Sequence, residues 1–174
     1  MTISTINYHK TISNHPDLSK IMGNLTYETL HFLHNEIKPN TMSVPSNLGG
    51  GQHGYLGSVV SPNAYSLIAN TPFVCQVHPL NLIVHIAGTR HAQEELKFQY
   101  EKNLWVFHET RGVERALIQK LVLSIKASYI TAIRNSTTGQ FTGILFMIIH
   151  YLIVTYGKIS PNQQIDLEQN TKPM

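Results

Sequence analysis

The glycine-rich stretch NLGGGQHGYLG contains the residues of this sequence that come closest to a known binding motif. Gly49, Gly51 and Gly54 have the G-x-G-x-x-G spacing with which proteins hold the pyrophosphate of a dinucleotide. That motif requires a strand before it, a helix that begins inside it and an acidic residue about 20 positions later. Here prolines flank the stretch, and no aspartate or glutamate occurs between Glu36 and Glu94. We therefore predict no cofactor.

The glycines are instead predicted to form a structural loop. Glycine adopts positive φ angles without steric strain, so a run of glycines allows several tight turns in succession. We expect this loop to pack closely against a neighbouring chain. It comprises Gly49, Gly50, Gly51, Gly54 and Gly57.

The ten histidines of the chain make a metal site the next hypothesis to weigh. His31 and His34 lie three positions apart, which places them on one face of a helix, and Glu28 lies one turn before His31. A site of this kind needs a third ligand, and no residue nearby has the spacing to provide it. We predict no metal site and expect the histidines to lie at surfaces or interfaces.

Residues suited to nucleophilic or acid–base catalysis are few. Cys75, the only cysteine, lies in an apolar stretch interrupted by prolines, so we expect a buried and unreactive thiol. Aspartate occurs only at positions 17 and 166, which leaves little material for a Ser-His-Asp triad. Glu94 and Glu95 are expected on the solvated face of a helix. We predict that the chain is not an enzyme and takes no small-molecule substrate.

Charge is sparse along the chain. Charged residues make up 13% of the 174 residues, and the formal net charge is +3. The cations are spread singly from Lys10 to Lys172, whereas a nucleic-acid patch would cluster them. Since an average protein has about 25% charged residues, we expect this chain to cover part of its surface with a partner.

Features that direct a chain to the membrane or to secretion are weak. The N-terminal residues contain no apolar core of a signal peptide, and a single cysteine excludes an internal disulfide framework. We therefore expect a cytoplasmic protein. The apolar run Ile144–Tyr156 is shorter than the roughly 20 residues that span a bilayer, so we predict a buried helix and no membrane contact.

The N-terminal half is predicted to be irregular around two helices. Residues 1–24 are polar and aperiodic, which indicates a flexible arm. Leucine and isoleucine recur at helical spacing over residues 26–37, a helix that Pro39 is expected to end. A serine followed by proline opens a short helix over residues 62–69. The apolar segment 71–88, interrupted by prolines, is predicted to lie extended across the helices.

Helical patterns dominate the rest of the chain. A helix is predicted from Thr89 to about Thr110, an interruption at Gly112, and a second helix over residues 113–125. A very apolar helix follows over residues 143–156. The inner face of the first of these helices is predicted to contain Ala92, Leu96, Tyr100, Leu104 and Phe107.

These elements predict an all-α fold, a helical bundle with an irregular Gly/Pro-rich N-terminal third. The predicted organisation is a flexible polar arm over residues 1–24, a first helix, glycine-rich loop, short helix and extended segment over residues 25–88, and a helical bundle over residues 89–174 that is truncated at its C-terminal end.

Four segments carry a family resemblance: LGGGQHGYLG, VERALIQKLV, YITAIRN and TYGKISP. With the sequence around them, from about Asn24 to Gln169, they resemble the N-terminal half of the Gag-like capsid polyprotein of copia-type LTR retrotransposons, in the branch found in diatoms and other marine eukaryotes. These segments are family signatures with no chemical mechanism attached. The resemblance therefore implies the class of protein and points to no catalytic or binding site.

The resemblance implies a structural capsid subunit fragment that self-associates into a homo-oligomer around the RNA of the element. Because Cys75 is the only cysteine, the chain contains no zinc knuckle, so RNA contact is expected to be weak, non-specific and salt-dependent. The alternative is a retroelement-derived host regulatory or nucleic-acid-binding module. The face predicted for packing or assembly comprises Leu117, Leu121, Phe146, Ile149 and Ile153.

Overall fold

The structure is a computed structural model that describes residues 15–83, 88–141 and 143–158. Over these residues it contains α-helices and short 3₁₀ helices and no β-strand, which confirms the predicted all-α fold. The α-helices, labelled in chain order, are α1 Tyr27–Met42, α2 Pro62–Ser66, α3 Arg90–Ser124 and α4 Leu145–Tyr156. The 3₁₀ helices are Leu48–Gly50, Leu56–Ser58, Ala127–Tyr129 and Thr131–Ile133. Residues 159–174 of the predicted bundle lie outside the described residues.

The core forms where α1, α4 and the C-terminal half of α3 pack together. Ile37 of α1, Leu117 of α3 and Leu152 of α4 are among its most deeply buried side chains. Each such side chain stabilises the fold by about 1.5–3 kcal/mol relative to an exposed position. Apolar burial by three helices is therefore the main source of stability.

Capping residues begin these helices as the sequence predicts. The Ser61 hydroxyl accepts a hydrogen bond from the backbone N–H of Ala64 at 3.1 Å and opens α2. The Thr89 hydroxyl accepts one from the backbone N–H of Ala92 at 3.3 Å and opens α3. Helix α2 ends at Ser66, earlier than expected, and residues 71–83 form neither helix nor strand.

The prediction that α1 ends before Pro39 is wrong, because side chains stabilise the turn that proline weakens. The Asn40 side-chain amide donates to the carbonyl oxygen of Glu36 at 3.0 Å. The Thr41 hydroxyl donates to the carbonyl oxygen of Lys38 at 2.7 Å. Asn40 and Thr41 are both buried, so the extra helical turn also keeps two side chains in the interior.

The predicted interruption at Gly112 is also wrong, since α3 continues without a break from Arg90 to Ser124. A glycine inside a helix costs only about 1 kcal/mol relative to alanine. Val113, directly after Gly112, and Leu117, one turn further along, are completely buried in the core. Tertiary packing on one side of the glycine thus outweighs its low helix propensity.

The chain before α1 is held in place over its described part, in contrast to the flexible arm predicted for residues 1–24. Leu18 is buried in the core, and the backbone N–H of Ile21 donates to the carbonyl oxygen of Ser124 at 2.8 Å. Ser19 donates to the Glu36 carboxylate through both its backbone N–H and its hydroxyl. Residues 1–14 of that arm lie outside the described residues.

Lys120 ties this N-terminal segment to α1 and α3. Its side chain is only 8% exposed. The ammonium group donates to the carbonyl oxygens of His15 and Pro16 at 2.8 and 3.1 Å, and to Oδ1 of Asn40 at 3.1 Å. Burial lowers the pKa of Lys120, and the carboxylate of Asp17, 3.8 Å away, opposes that shift.

The glycine-rich loop packs against the chain itself. The Tyr65 hydroxyl donates to the carbonyl oxygen of Gly49 at 3.0 Å, and a Cβ at Gly49 would overlap the Tyr65 ring. Gly57 lies equally close to the ring of Phe73. Aromatic side chains of the same chain therefore explain these glycines, and the expected contact with a neighbouring chain is not needed.

Gly54 has the strictest requirement in this loop. Its φ angle is +52°, a left-handed conformation that residues with a side chain rarely adopt. A Cβ there would lie 2.5 Å from the carbonyl oxygen of Val44 and 2.7 Å from that of Met42. The loop crosses the end of α1 so closely that only glycine fits.

We predict that Gly54→Ala lowers the free energy of unfolding by at least about 2 kcal/mol, since strain at positive φ adds to the overlap with backbone carbonyls. Urea denaturation at neutral pH measures the change. The matched control is Gly23→Ala, because no atom lies within 4 Å of a Cβ at Gly23. Equal effects of the two substitutions would contradict this account.

We also predict that Lys120→Met lowers the free energy of unfolding by about 1–3 kcal/mol, because it leaves the buried Asn40 side-chain oxygen and the carbonyl oxygens of His15 and Pro16 without this donor. Lys97→Met is the control, since Lys97 is an exposed lysine of α3. Both variants are compared with the unmodified chain by urea denaturation. The role given to Lys120 fails if the two methionine variants are equally stable.

Candidate functional site

A groove of about 800 Å³ lies between α3 and the loop that leads into α4. Arg111, Arg115 and Ile118 line it from α3, and Arg134 and Phe141 line it from the loop. Its volume lies within the range of about 300–1,000 Å³ that is typical of small-molecule sites. We call it the arginine groove.

Glu114 also lines the arginine groove, although only 2% of the residue is exposed. Its Oε2 accepts a hydrogen bond from Nη1 of Arg111 at 3.1 Å, and the carboxylate also interacts with the backbone N–H of Leu145. Its Oε1 is buried and makes no hydrogen bond within the described part of the chain. Burial raises the pKa of Glu114, and Arg111 and Leu145 only partly oppose that shift.

The carboxylate of Glu114 also stabilises the start of α4. The N-cap residue of α4, Ile144, has no side-chain oxygen to accept a hydrogen bond from the first turn. A negative group near a helix N-terminus interacts favourably with the helix dipole. Glu114, from a different helix, therefore supplies the negative group that the sequence around Ile144 lacks.

The opposite wall of the groove is a tight turn. Its ends are joined by an antiparallel bridge between Arg134 and Phe141, and the backbone N–H of Asn135 donates to the carbonyl oxygen of Gln140 at 2.8 Å. The guanidinium group of Arg134 lies over the ring of Phe141, 4.7 Å from its centroid. This cation–π contact holds Arg134 in a defined orientation at the edge of the groove.

The sequence analysis did not identify the arginine groove. Arg111 and Arg115 share a helix face at i and i+4, which is a weak signal that charge lies on one side of α3. Nothing in the sequence places Arg134 or Phe141 opposite them, because the turn approaches α3 only through tertiary packing.

The five residues predicted as a packing or assembly face do not form an exposed surface. Leu117, Leu121 and Ile149 are buried in the core between the helices, and Phe146 and Ile153 are half-buried beside them. The apolar side chains of these residues pack against other residues of the same chain. These residues therefore leave no exposed face for association.

His31 and His34, the pair considered for a metal site, bind different partners. Nδ1 of His31 lies 3.2 Å from the Asn35 side-chain amide, and Nε2 of His34 lies 2.7 Å from the carbonyl oxygen of Val59. Burial lowers the pKa of His34. Within the described residues, no group of three or more His, Cys, Asp and Glu could hold a metal ion.

Cys75 is half-buried in the irregular segment that crosses α3. Burial raises the pKa of its thiol to about 11, with a smaller contribution from Glu114 that Arg111 opposes. The thiolate is the reactive form, so this thiol is a poor nucleophile at neutral pH.

The inner face predicted for the N-terminal half of α3 is only partly covered. No residue between Arg90 and Glu109 is buried: Ala92 and Leu96 are exposed, and Tyr100, Leu104 and Phe107 are half-buried. The cause is length. Helix α3 is about 50 Å long at 1.5 Å per residue, whereas α1 and α4 are roughly half that length or less and cover only its C-terminal half.

Comparisons of the chain with protein-family models, with curated proteins and with solved structures found no match. The likeness to Gag-like capsid proteins therefore remains a prediction from the sequence segments. None of the described helices is long and apolar enough to cross a membrane.

We predict that Glu114 makes stability depend on pH. Because its pKa is higher in the folded chain than in the unfolded chain, the folded state binds the proton more tightly. The stability gained from this tighter proton binding is therefore fully present below pH 4.5. It is lost as the pH rises through the pKa of Glu114 in the folded chain.

The test compares Glu114→Gln with the unmodified chain by urea denaturation, from pH 4.5 to about pH 7. The unmodified chain should lose stability relative to the variant as the pH rises, because only its own side chain then ionises in the interior. If the difference in free energy of unfolding between the two proteins stays constant with pH, or changes in the opposite direction, the Arg111 ion pair outweighs the effect of burial.

Proposed function

We propose that the chain is a structural, non-enzymatic subunit that self-associates, of the Gag-like kind that its sequence resembles. The observation that carries this proposal is the exposed half of α3. Leu96, Phe98 and Trp105 are exposed there, and no side chain before Thr110 of this helix is buried in the core. A large uncovered apolar surface on a folded chain is typical of an association site.

One face of this half of α3 has a spacing that suits pairing with another helix. Leu96, which is exposed, is followed by the half-buried Tyr100, Leu104 and Phe107 at intervals of four, four and three residues, which places all four on a single face. We call this face the α3 stripe. The free half of α3 is about 30 Å long at 1.5 Å per residue, enough for several layers of side chains to interlock with a partner helix.

A second copy of the chain is the partner that the charges favour. Arg90 and Glu94 form an ion pair at 2.9 Å within α3, and Lys97 and Glu101 form another at 3.9 Å. Because the two opposite charges of each pair neutralise each other within one helix, two copies of the helix can approach without strong repulsion. Pairing two identical stripes in a two-fold arrangement covers both of them at once.

The test is the double variant Leu96→Gln/Leu104→Gln, because glutamine keeps helix propensity but removes apolar surface. Light scattering after size-exclusion chromatography, over a range of protein concentrations, should show an oligomer for the unmodified chain. The double variant should remain monomeric at concentrations about tenfold higher.

The matched control for this experiment is Leu67→Gln. Leu67 is 86% exposed, more than Leu96, and lies at the end of α2, away from the stripe. This control should associate like the unmodified chain. An unmodified chain that stays monomeric at every concentration, or a control that weakens association as much as the double variant, would overturn the proposal.

A further inference from the structure

We propose that the arginine groove binds a nucleoside monophosphate, with the phosphate on the arginines, the base against the Arg134–Phe141 pair and a ribose hydroxyl on Glu114. This goes beyond the expectation of no small-molecule ligand and is independent of self-association. The groove lies beside the core, whereas the α3 stripe lies along the free half of α3.

The charge of the groove favours a phosphate. Three guanidinium groups line it, from Arg111, Arg115 and Arg134, against one carboxylate from Glu114. Arg111 already binds Glu114, and Nη1 of Arg134 donates to the carbonyl oxygen of Gly139 at 3.4 Å, which leaves the guanidinium group of Arg115 and the other donors of Arg134 for an anion. A guanidinium group binds phosphate oxygens through two parallel hydrogen bonds. Such bonds are stronger when the acceptor is a charged carboxylate or phosphate than when it is a neutral group.

A flat apolar surface adjoins these arginines. Arg134 and Phe141 are stacked and half-buried, so each keeps an accessible side. Nucleobases stack on aromatic rings and on guanidinium planes, and this stacking stabilises binding with little dependence on which base is present. The stacked pair therefore suits a nucleobase better than an inorganic ion, which would leave the surface empty.

The unpartnered oxygen of Glu114 is the third feature. A buried carboxylate oxygen without a hydrogen bond is costly, and most buried polar atoms in native proteins have a partner. Oε1 of Glu114 is such an atom, and the residue lines the groove. A ribose hydroxyl is a neutral donor that satisfies a carboxylate, whereas the phosphate itself would be repelled. A ligand that binds all three features must combine an anion, a hydroxyl donor and a flat ring.

Isothermal titration calorimetry of the full chain with AMP tests the proposal. We expect one site per chain. Ribose 5-phosphate, which lacks the base, and 2′,3′-dideoxy-AMP, which lacks the ribose hydroxyls, should each bind several-fold more weakly. Inorganic phosphate should bind at least about tenfold more weakly than AMP.

Variants assign the site to the groove. Arg115→Gln should weaken AMP binding about tenfold, and because Arg115 is exposed, the variant should fold normally, as thermal unfolding will show. Arg134→Gln should have a similar or larger effect. The matched control is Lys97→Gln, which removes one exposed cation of α3 outside the groove.

The source of the nucleotide is tested with single-stranded oligoadenylate. If the groove takes the end of an RNA strand, an oligonucleotide with a 5′-phosphate will bind at least as tightly as AMP, and removal of that phosphate will abolish the difference between unmodified chain and Arg115→Gln. If it takes a free nucleotide, AMP will bind more tightly than either oligonucleotide.

The proposal is overturned if AMP does not bind, or if inorganic phosphate binds as tightly as AMP. It is also overturned if Lys97→Gln weakens binding as much as Arg115→Gln, since non-specific attraction to a basic protein would then explain the result. None of these outcomes affects the test of self-association, which uses residues of the α3 stripe.

Discussion

The ammonium group of Lys120 lies in the interior, and its need for oxygen partners constrains much of the surrounding fold. Two of its acceptors are the backbone carbonyls of His15 and Pro16 in the segment before α1, and a third is the Asn40 side chain near the end of α1. Asn40 reaches this position only because α1 continues past Pro39. The buried charge of Lys120 thus determines the position of the N-terminal segment, the length of α1 and the packing of both on α3.

The same arrangement determines what remains uncovered. Helices α1 and α4, the N-terminal segment and the turn before α4 all pack on the C-terminal half of α3, where Lys120 and Glu114 lie. Nothing comparable covers the helix before Thr110 over the described residues, apart from the irregular segment, in which His78 contacts Phe107. A helix of 35 residues packed at one end leaves its other end available for a partner.

Local chemistry could be predicted from the sequence, whereas features that depend on tertiary packing could not. The caps Ser61 and Thr89 act through neighbours three residues away, so their patterns were sufficient. Pro39 and Gly112 were misjudged because tertiary packing buries the residues that follow them, Asn40 and Thr41 after Pro39 and Val113 after Gly112, and this burial offsets their cost. Periodicity identified the apolar side of α3 correctly, but it could not tell that the covering helices are too short to reach Leu96.

Glu114 shows why the groove differs from ordinary surface. Its burial raises its pKa and leaves one oxygen without a partner, so the residue lowers the stability of the folded state at neutral pH. An apolar residue of similar size would pack there at lower cost, although α4 would then lose the negative group at its N-terminus. The interaction of Glu114 with the start of α4 offsets only part of the stability that its burial costs. Such a net cost is typical of a position selected for more than folding. In a chain with so few charges, three arginines around one such carboxylate are the observation on which the proposed nucleotide site rests.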